Sequence, residues 1–438
     1  MATIGLRGYT VATIGRRGYV TENAPPLTAE PAPRLAGIAL PAFLSAFAYR
    51  NFRLIWTGAF LSSIGTWTQD VALAWLIFTR LHDPFYLGLR AFASDAPLLA
   101  FMLLGGAVAD RVDRRRILII SNVLQMALAA ALGLLYATGN LGIIPILVIA
   151  ALTGLTQSQS APTYQAVITS LVPPRQIPNA VALNSLQFNL SRAIGPAIAG
   201  LLLARAGTGA CFAVNAISFL AVIVAVIQIE LPSAPAPKGT LGESLRAGLR
   251  HVAHDPLLSS LTLLGAAGAL LAFPLITYLP VIAGDVLKTG VGGFSALLSS
   301  FGAGAIAGAV TTAHRGHVPR RGRTMLAALL VYGVTVTAAM ASRFQILSMA
   351  LLFVAGASLV TAFSTLNSLV QENAPGDLKG RILSIYGLAF RSGTPLGALI
   401  AGALVRSLGA PRVLGAFAAL LALLALSNLA WNVRVRDL

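Results

Sequence analysis

Twelve long apolar runs follow one another along the chain, separated by short stretches rich in glycine, proline or charge. Each run has about twenty residues or more, the length that an α-helix needs to cross roughly 30 Å of hydrocarbon. None shows the alternation over about ten residues that is typical of a transmembrane β-strand. The runs lie near 54–79, 86–109, 116–138, 143–169, 179–204, 210–230, 257–283, 292–313, 323–342, 346–371, 381–405 and 411–433. The pattern predicts an all-α membrane protein with twelve transmembrane helices.

Composition supports a lipid environment for most of the chain. Of the 438 residues, 56% are hydrophobic and only 10% are charged. A soluble domain carries about 25% charged residues, because it has to wet its surface. In lipid, backbone polar groups must be satisfied within the segment, and a helix does this.

The chain divides into two halves around a polar stretch at 232–256. Shifting the sequence by 202 residues places Pro173 on Pro375 and Gly200 on Gly402, and it aligns the segment GAV at 106–108 with GAV at 308–310. We therefore predict two pseudo-symmetric six-helix bundles. The predicted divisions are a disordered N-terminal tail at 1–50, bundles at 51–231 and 257–438, and a cytoplasmic linker at 232–256.

The positive charge is distributed unevenly between the two sides of the predicted bundles. If the N-terminus is cytoplasmic, 22 of the 31 Lys and Arg residues fall on the cytoplasmic side and six on the other. The remaining three are Arg90, Arg192 and Arg391, inside predicted helices. This bias is the positive-inside rule, so we expect both termini in the cytoplasm of a multi-pass protein of the cell inner membrane. The net charge of +17 then indicates topology and not nucleic acid.

A short loop between the second and third predicted helices carries the most specific motif, GAVADRVDRRR at 106–116. It resembles the G-x-x-x-D-R-x-G-R-R loop of the major facilitator superfamily and departs from it at Asp113, where the superfamily usually has glycine. The matching residues are Gly106, Asp110, Arg111, Arg114 and Arg115. The resemblance implies the major facilitator fold and a gating contact between Asp110 and the start of helix eleven, near Lys379. Alternatively, the arginines only anchor the topology.

Longer stretches resemble one branch of that superfamily, the exporters grouped around the enterobactin exporter and the macrolide efflux proteins. They lie at 51–78, 160–200 and 371–387. The resemblance implies a secondary transporter that exports a small amphiphilic or anionic molecule, siderophore-like or drug-like, by alternating access with proton antiport. We expect it to act as a monomer. A proton-coupled importer of the same fold is the alternative. The expected partners are the cargo, protons and the lipid bilayer.

A membrane receptor or a membrane-embedded enzyme is the alternative from another class. The chain has no nucleophile–base constellation, since its five histidines lie in or near loops, and it has no G-x-x-x-x-G-K-[ST] phosphate-binding loop. Its single cysteine, Cys211, excludes an internal disulfide and a cysteine-based metal site. We therefore expect neither an enzyme, nor a cofactor, nor a bound metal. The identity of the cargo lies beyond the sequence.

Charged side chains inside predicted helices are the first candidates for function, because they are costly in a membrane. Asp70 and Arg90 lie at equal depth near the outer face, which predicts an ion pair with either a coupling or a purely structural role. Asp95 and Arg391 both lie about 16–20 Å above the cytoplasmic ends of helices two and eleven, at 1.5 Å per residue. We hypothesise an interdomain pair that breaks during gating or proton binding. Alternatively, Asp95 only faces water in the cavity.

Arg192 in helix five has no acidic residue on the expected facing helix. Such an arginine is expected to contact an anionic group of the cargo or, alternatively, backbone carbonyls and a polar side chain of helix four. Helices four and ten are unusually polar, which is typical either of a cavity wall or of helix–helix hydrogen bonds. The further candidates for binding the cargo are Trp67, Gln69, Gln157, Tyr164, Gln165 and Thr365.

Overall fold

The structure is a computed structural model, and it describes residues 41–109, 113–229, 231, 249–315, 320–376 and 378–438, without the side chains of 42, 102–109 and 315. It also describes four two-residue strands near the N-terminus, β1 (Ile14–Gly15), β2 (Gly18–Tyr19), β3 (Arg34–Leu35) and β4 (Ile38–Ala39). β1 pairs with β2 and β3 with β4, both antiparallel. The rest of the predicted tail, and residues 232–248 of the predicted linker, lie outside the described residues.

Twelve long helices account for most of the described chain, which confirms the predicted all-α class. The first six are α1 (Arg50–Leu81), α2 (Phe85–Ala109), α3 (Arg114–Ala137), α4 (Ile143–Ser170), α5 (Ile177–Arg205) and α6 (Gly207–Gln228). The next six are α7 (Pro256–Val286), α8 (Gly290–Arg315), α9 (Arg321–Ala341), α10 (Gln345–Asn373), α11 (Lys379–Leu408) and α12 (Ala410–Trp431). A short α13 (Val433–Arg436) follows. Nine of the described helices are long and apolar enough to cross a membrane by length and composition alone.

Two local features differ from the sequence-based prediction. The seventh span is interrupted at Phe273, where Pro274 begins a new helical segment, and it ends in a π-helical turn at Ile282–Val286. Proline cannot donate the backbone hydrogen bond that a continuous helix needs. The predicted disordered tail is wrong for Ala42–Ala48, which form a 3-10 helix. That segment is held by the start of α5, because the Ser45 hydroxyl donates to Gln176 Oε1 at 2.5 Å.

The two six-helix bundles repeat the same helix neighbours. In the first, α1 packs on α5, α2 on α4 and α3 on α6, and in the second α7 packs on α11, α8 on α10 and α9 on α12. The α2–α4 crossing requires Gly154, because a Cβ atom there would collide with the Ser94 carbonyl. The equivalent α8–α10 crossing requires Gly356, whose Cβ would collide with the Phe301 carbonyl. Gly154 and Gly356 are related by the same 202-residue offset that the sequence predicts.

The bundles touch each other only in one half of their length, as far as the described apolar packing shows. We call the side that holds both chain ends the inner side and the opposite one the outer side. One apolar cluster near the outer side contains residues of both bundles, whereas the two inner clusters each belong to one bundle. Trp75 of α1 stacks on Phe294 of α8 with ring centroids 6.2 Å apart, and Asp83 lies 3.5 Å from the Arg406 guanidinium. The molecule is therefore closed on the outer side.

Candidate functional site

A cavity of about 780 Å³ lies in the inner half of the first bundle. Its wall is formed mainly by α1, α3, α4, α5 and α6, and two charged side chains, Asp95 and Arg391, belong to its described lining. Its amides are Asn122, Gln125, Gln157, Gln165, Asn184, Gln187 and Asn189, and its aromatic side chains are Trp67, Tyr164, Phe188 and Phe219. Ligand pockets commonly have such a volume, an apolar lining and a few placed polar groups.

Helical periodicity brings the amides to one surface. Asn184 and Gln187 are three residues apart on α5, so they share a face. Gln187 Nε2 donates to Ser63 Oγ at 2.8 Å and to the Ala59 carbonyl at 3.2 Å, both on α1. These bonds fix α5 against α1 and hold that part of the wall in one arrangement.

Six uncharged side chains are predicted to bind the cargo, and four of them line the cavity. Gln157, Tyr164 and Gln165 lie on one face of α4, and Trp67 lies on α1. The buried Tyr164 hydroxyl has no hydrogen-bond partner among the described residues, so it keeps a free donor. This set can hold a molecule that has both an apolar surface and hydrogen-bonding groups.

The other two predicted binding side chains do not line the cavity. Gln69 accepts a hydrogen bond from Asn215 Nδ2 at 2.9 Å, which ties α1 to α6. The Thr365 hydroxyl donates to the Thr361 carbonyl of its own helix at 2.7 Å. Both side chains are used in packing, which is the common use of polar residues within membrane helices.

Asp95 and Arg391 line the same cavity, but they form no ion pair within 4 Å in the described part of the structure. The hypothesised Asp95–Arg391 pair is thus not made in this conformation. The reason is geometric, since α2 and α11 meet through Gly88 and Ala398 near the outer side, beyond the level of the cavity. Asp95 is half-buried, and Arg391 is exposed. The cavity therefore presents one carboxylate and one guanidinium that are not in direct contact with each other.

Asp70 and Arg90 form the ion pair that their equal depth predicts. Arg90 Nη2 donates to Asp70 Oδ1 between α1 and α2, and the two side chains are 21% and 36% exposed for Arg90 and Asp70 respectively. Neither residue belongs to the cavity lining. Whether the pair couples transport or only joins α1 to α2 stays a prediction.

A double-mutant cycle on this pair measures its structural part. Asp70→Asn leaves the Arg90 charge partly buried without its counter-ion, so it is expected to lower the free energy of unfolding. Combining it with Arg90→Gln is expected to recover part of the loss, with a coupling energy of about 0.5–3 kcal/mol between contacting residues. Thermal unfolding of the purified variants gives the four values. Strict additivity of the two single changes would show that the pair contributes nothing to stability.

The loop with the specific motif is only partly described. Asp110 and Arg111 lie outside the described residues, and Gly106 is described only as part of α2. Arg114 begins α3, and Arg115 donates to the Ile227 carbonyl at the end of α6. Asp113 caps α3, because its carboxylate accepts the backbone N–H of Arg115 at 2.9 Å. The N-cap role gives a local reason for an acidic residue at this position. The gating contact of Asp110 stays a prediction.

Asn122, Gln125, Asn184 and Gln187 are cavity residues that the sequence-based prediction missed. The sequence does contain a signal for them. Asn122 and Gln125 lie three residues apart in one mostly apolar run, and Asn184 and Gln187 lie three residues apart in another. Two polar groups on one face of a membrane helix indicate either a cavity or a helix contact. In this structure Asn122 and Gln125 belong to the part of the cavity wall that α3 forms.

Arg192 is predicted to contact cargo, but it lies outside the lining of the cavity. Its side chain is 7% exposed, and its guanidinium carbon lies 5.8 Å from the Trp67 ring centroid and 5.0 Å from that of Phe301. Trp67 does line the cavity, so one aromatic ring separates Arg192 from it.

Comparison with known proteins shows which family this chain resembles. The profile of a family described as transmembrane secretion effector matches residues 42–438. The chain is 28% identical over 369 residues to the multidrug efflux pump Tap of Mycolicibacterium fortuitum, covering 81% of this chain and 89% of that one. It is 24% identical over 359 residues to the enterobactin exporter EntS of Escherichia coli, covering 81% and 85%.

Solved structures show the same fold. A bacterial homologue of the human lysosomal transporter Spinster, in an inward-facing and unoccupied conformation, superposes with a TM-score of 0.65 at 13% identity, covering 88% of this chain and 98% of that one. At this identity the likeness concerns the fold alone. The profile match spans both bundles, and the matched relatives are transporters and not enzymes. The chain belongs to the transmembrane secretion effector family of major facilitator transporters.

Proposed function

We propose that this transporter exports a small amphiphilic organic molecule from the cytoplasm by proton antiport, through alternating access of the cavity to the two sides of the membrane. The observation that carries the proposal is the cavity itself, with its amides, aromatic rings and unpaired Asp95 carboxylate on the inner side of a molecule closed on the outer side. Two relatives are a multidrug efflux pump and an enterobactin exporter, and they favour the outward direction.

Each cavity residue receives a role in this proposal. Trp67 provides an aromatic surface for the apolar part of the cargo, and Gln157, Tyr164 and Gln165 provide hydrogen-bond donors and acceptors. Asp95 carries the proton, because an unpaired carboxylate within a membrane helix is costly when charged and is neutral when protonated. Proton release to the inner side then leaves a charge in the cavity, which changes its affinity for the cargo.

The inner side of the structure corresponds to the cytoplasm in this proposal. The basic residues concentrated on that side support this orientation through the positive-inside rule. The transporter then acts as a monomer in the cell inner membrane, with both chain ends in the cytoplasm. The siderophore-like and drug-like classes of cargo both have the mixed polarity that the lining fits.

Transport into everted membrane vesicles tests the proposal. A panel of amphiphilic compounds is offered from outside, so that the cytoplasmic face of the protein meets the bath. We expect at least one compound to accumulate when the lumen is acid, and a protonophore to abolish the accumulation. Vesicles lacking the protein are the control. Uptake confined to right-side-out vesicles would overturn the direction and support an importer.

A further inference from the structure

Arg192 of α5 lies where three helices of the two bundles meet. The Trp67 ring of α1 covers one part of its guanidinium and the Phe301 ring of α8 another, at 5.8 and 5.0 Å from the guanidinium carbon. Both distances are within the range of cation–π attraction. The backbones are close as well, since a Cβ atom on Gly302 of α8 would lie 2.8 Å from Ala193 Cα. The side chain is thus enclosed between aromatic rings and backbone.

The two rings attract the positive charge of Arg192, but they do not accept hydrogen bonds from its N–H groups, which point outward in the plane of the guanidinium. Nε and Nη2 of Arg192 are buried and have no hydrogen-bond partner among the described residues. No carboxylate lies within 4 Å of the guanidinium in the described part of the chain. The Tyr332 hydroxyl lies close to Arg192, but it donates to the Ala272 carbonyl at 2.8 Å and accepts neither the Nε–H nor an Nη2–H of Arg192. A buried charge with two unused donors is costly, so the Nε–H and Nη2–H groups favour an acceptor group at this position.

The two unused donors indicate the chemistry of that partner. Nε–H and one Nη2–H point the same way from one edge of the guanidinium, and this fork matches two oxygens of a carboxylate, sulfonate or phosphate. A backbone carbonyl offers one oxygen and leaves the other donor unused. The geometry therefore fits an anionic group with two oxygens in one plane.

Trp67 lies between Arg192 and the cavity, because its ring both lines the cavity and covers part of the Arg192 guanidinium. A Cβ atom at Gly195 would collide with the Trp67 Cβ, so the two backbones are close there. The centroid of the Trp67 ring lies 6.3 Å from that of Phe188. A change of the Trp67 side-chain rotamer would remove the ring that lies between the cavity and Arg192. Phe301 belongs to the other bundle, so its separation from α5 would expose Arg192 on the outer side.

We propose that Arg192 is an occluded anion subsite, closed by Trp67 towards the cavity and by Phe301 towards the second bundle, which receives a carboxylate, sulfonate or phosphate group of the cargo. The subsite rests on the proposed export function, and it adds a class of cargo and an order of events to it. The cargo first enters the cavity, and its anionic group reaches Arg192 after Trp67 moves. Opening of the outer side then exposes the group to water.

Binding of two matched fluorescent probes to the purified full-length protein tests the subsite. Pyrenesulfonate carries the anionic group, and pyrenemethylammonium has the same ring with a positive charge. Arg192→Gln is expected to weaken pyrenesulfonate binding at least about tenfold, as for loss of a charge-assisted bond, and to leave the ammonium probe unchanged or bound more tightly. Arg205→Gln, which removes a charge at the exposed outer end of the same helix, is the matched control and should change neither.

Two further variants keep the test decisive. Arg192→Lys keeps the charge but loses the fork of two N–H donors, so it should also weaken the binding of pyrenesulfonate. If Arg192→Gln does not fold, the binding measured with Arg192→Lys tests the subsite. Trp67→Ala should accelerate association of the sulfonate in stopped-flow measurements. Equal weakening of both probes, or unchanged sulfonate binding in both Arg192 variants, would overturn the subsite. If vesicles with Arg192→Gln still export a cationic compound, the proposed function survives that outcome.

Discussion

Asp95→Asn is expected to abolish proton-driven accumulation in everted vesicles while the protein still binds its cargo. Asparagine has nearly the same shape as aspartate, so the wall of the cavity and its hydrogen bonds remain. It cannot bind and release a proton, so a transmembrane pH difference no longer drives the cycle. Asp95 is the one carboxylate of the described lining, and no other described lining residue can replace it. Accumulation should fall to the level of vesicles without the protein.

A matched control separates this effect from a general loss of negative charge. Asp285→Asn changes a carboxylate at the outer end of α7, away from the cavity, and should leave accumulation intact. In vesicles that contain the Asp95→Asn variant, exchange of internal for external cargo without a proton gradient should continue, since it needs only alternating access. Full proton-driven accumulation in Asp95→Asn would remove the carrier role from this residue.

Gly88→Leu is expected to shift the protein away from the conformation described above. A Cβ atom at Gly88 of α2 would collide with the Tyr278 hydroxyl and with the Ala398 carbonyl, both in the second bundle near the outer side. A leucine there disfavours the closure of the two bundles on the outer side. Overpacking of this kind costs about 1–3 kcal/mol, which corresponds to a change of roughly 5- to 150-fold in the equilibrium between conformations.

Accessibility of one cysteine in the cavity measures the shift. Cys211 is the only cysteine of the chain, so Cys211→Ser together with Asn184→Cys leaves one thiol, in the cavity wall. A bulky, membrane-impermeant maleimide applied from the inner side should modify it more slowly when Gly88→Leu is added. Gly142→Leu is the control, because a Cβ atom at Gly142 has open space around it. Unchanged labelling in Gly88→Leu would contradict the closed outer contact.

The helices were predictable because lipid imposes a length and a polarity on every span. The Asp70–Arg90 pair was predictable for a similar reason, since two opposite charges at one depth in a membrane attract each other strongly. The segment Ala42–Ala48 was not, because its order depends on contacts with Gln176 and Asn179, more than a hundred residues away. Proline and polar flanks gave no sign of those contacts.

The site was predictable in part. Polarity alone selected Gln157, Tyr164 and Gln165 correctly, but it also selected Gln69 and Thr365, whose side chains are used in helix packing. Only the rotation of each helix about its axis distinguishes the two uses. The separation of Asp95 from Arg391 depends on which side of the molecule is closed, and a linear pattern does not encode one state of an alternating structure.

The pH inside proteoliposomes, followed by an enclosed dye, tests the exchange of cargo for protons most directly. The purified protein is reconstituted, an acid lumen is imposed, and a cargo found with the vesicle panel is added to the bath. In the population whose inner side faces the bath, cargo entry should make the lumen more alkaline, and Asp95→Asn should show no such change. Cargo entry with an unchanged luminal pH, or with further acidification, would contradict proton antiport.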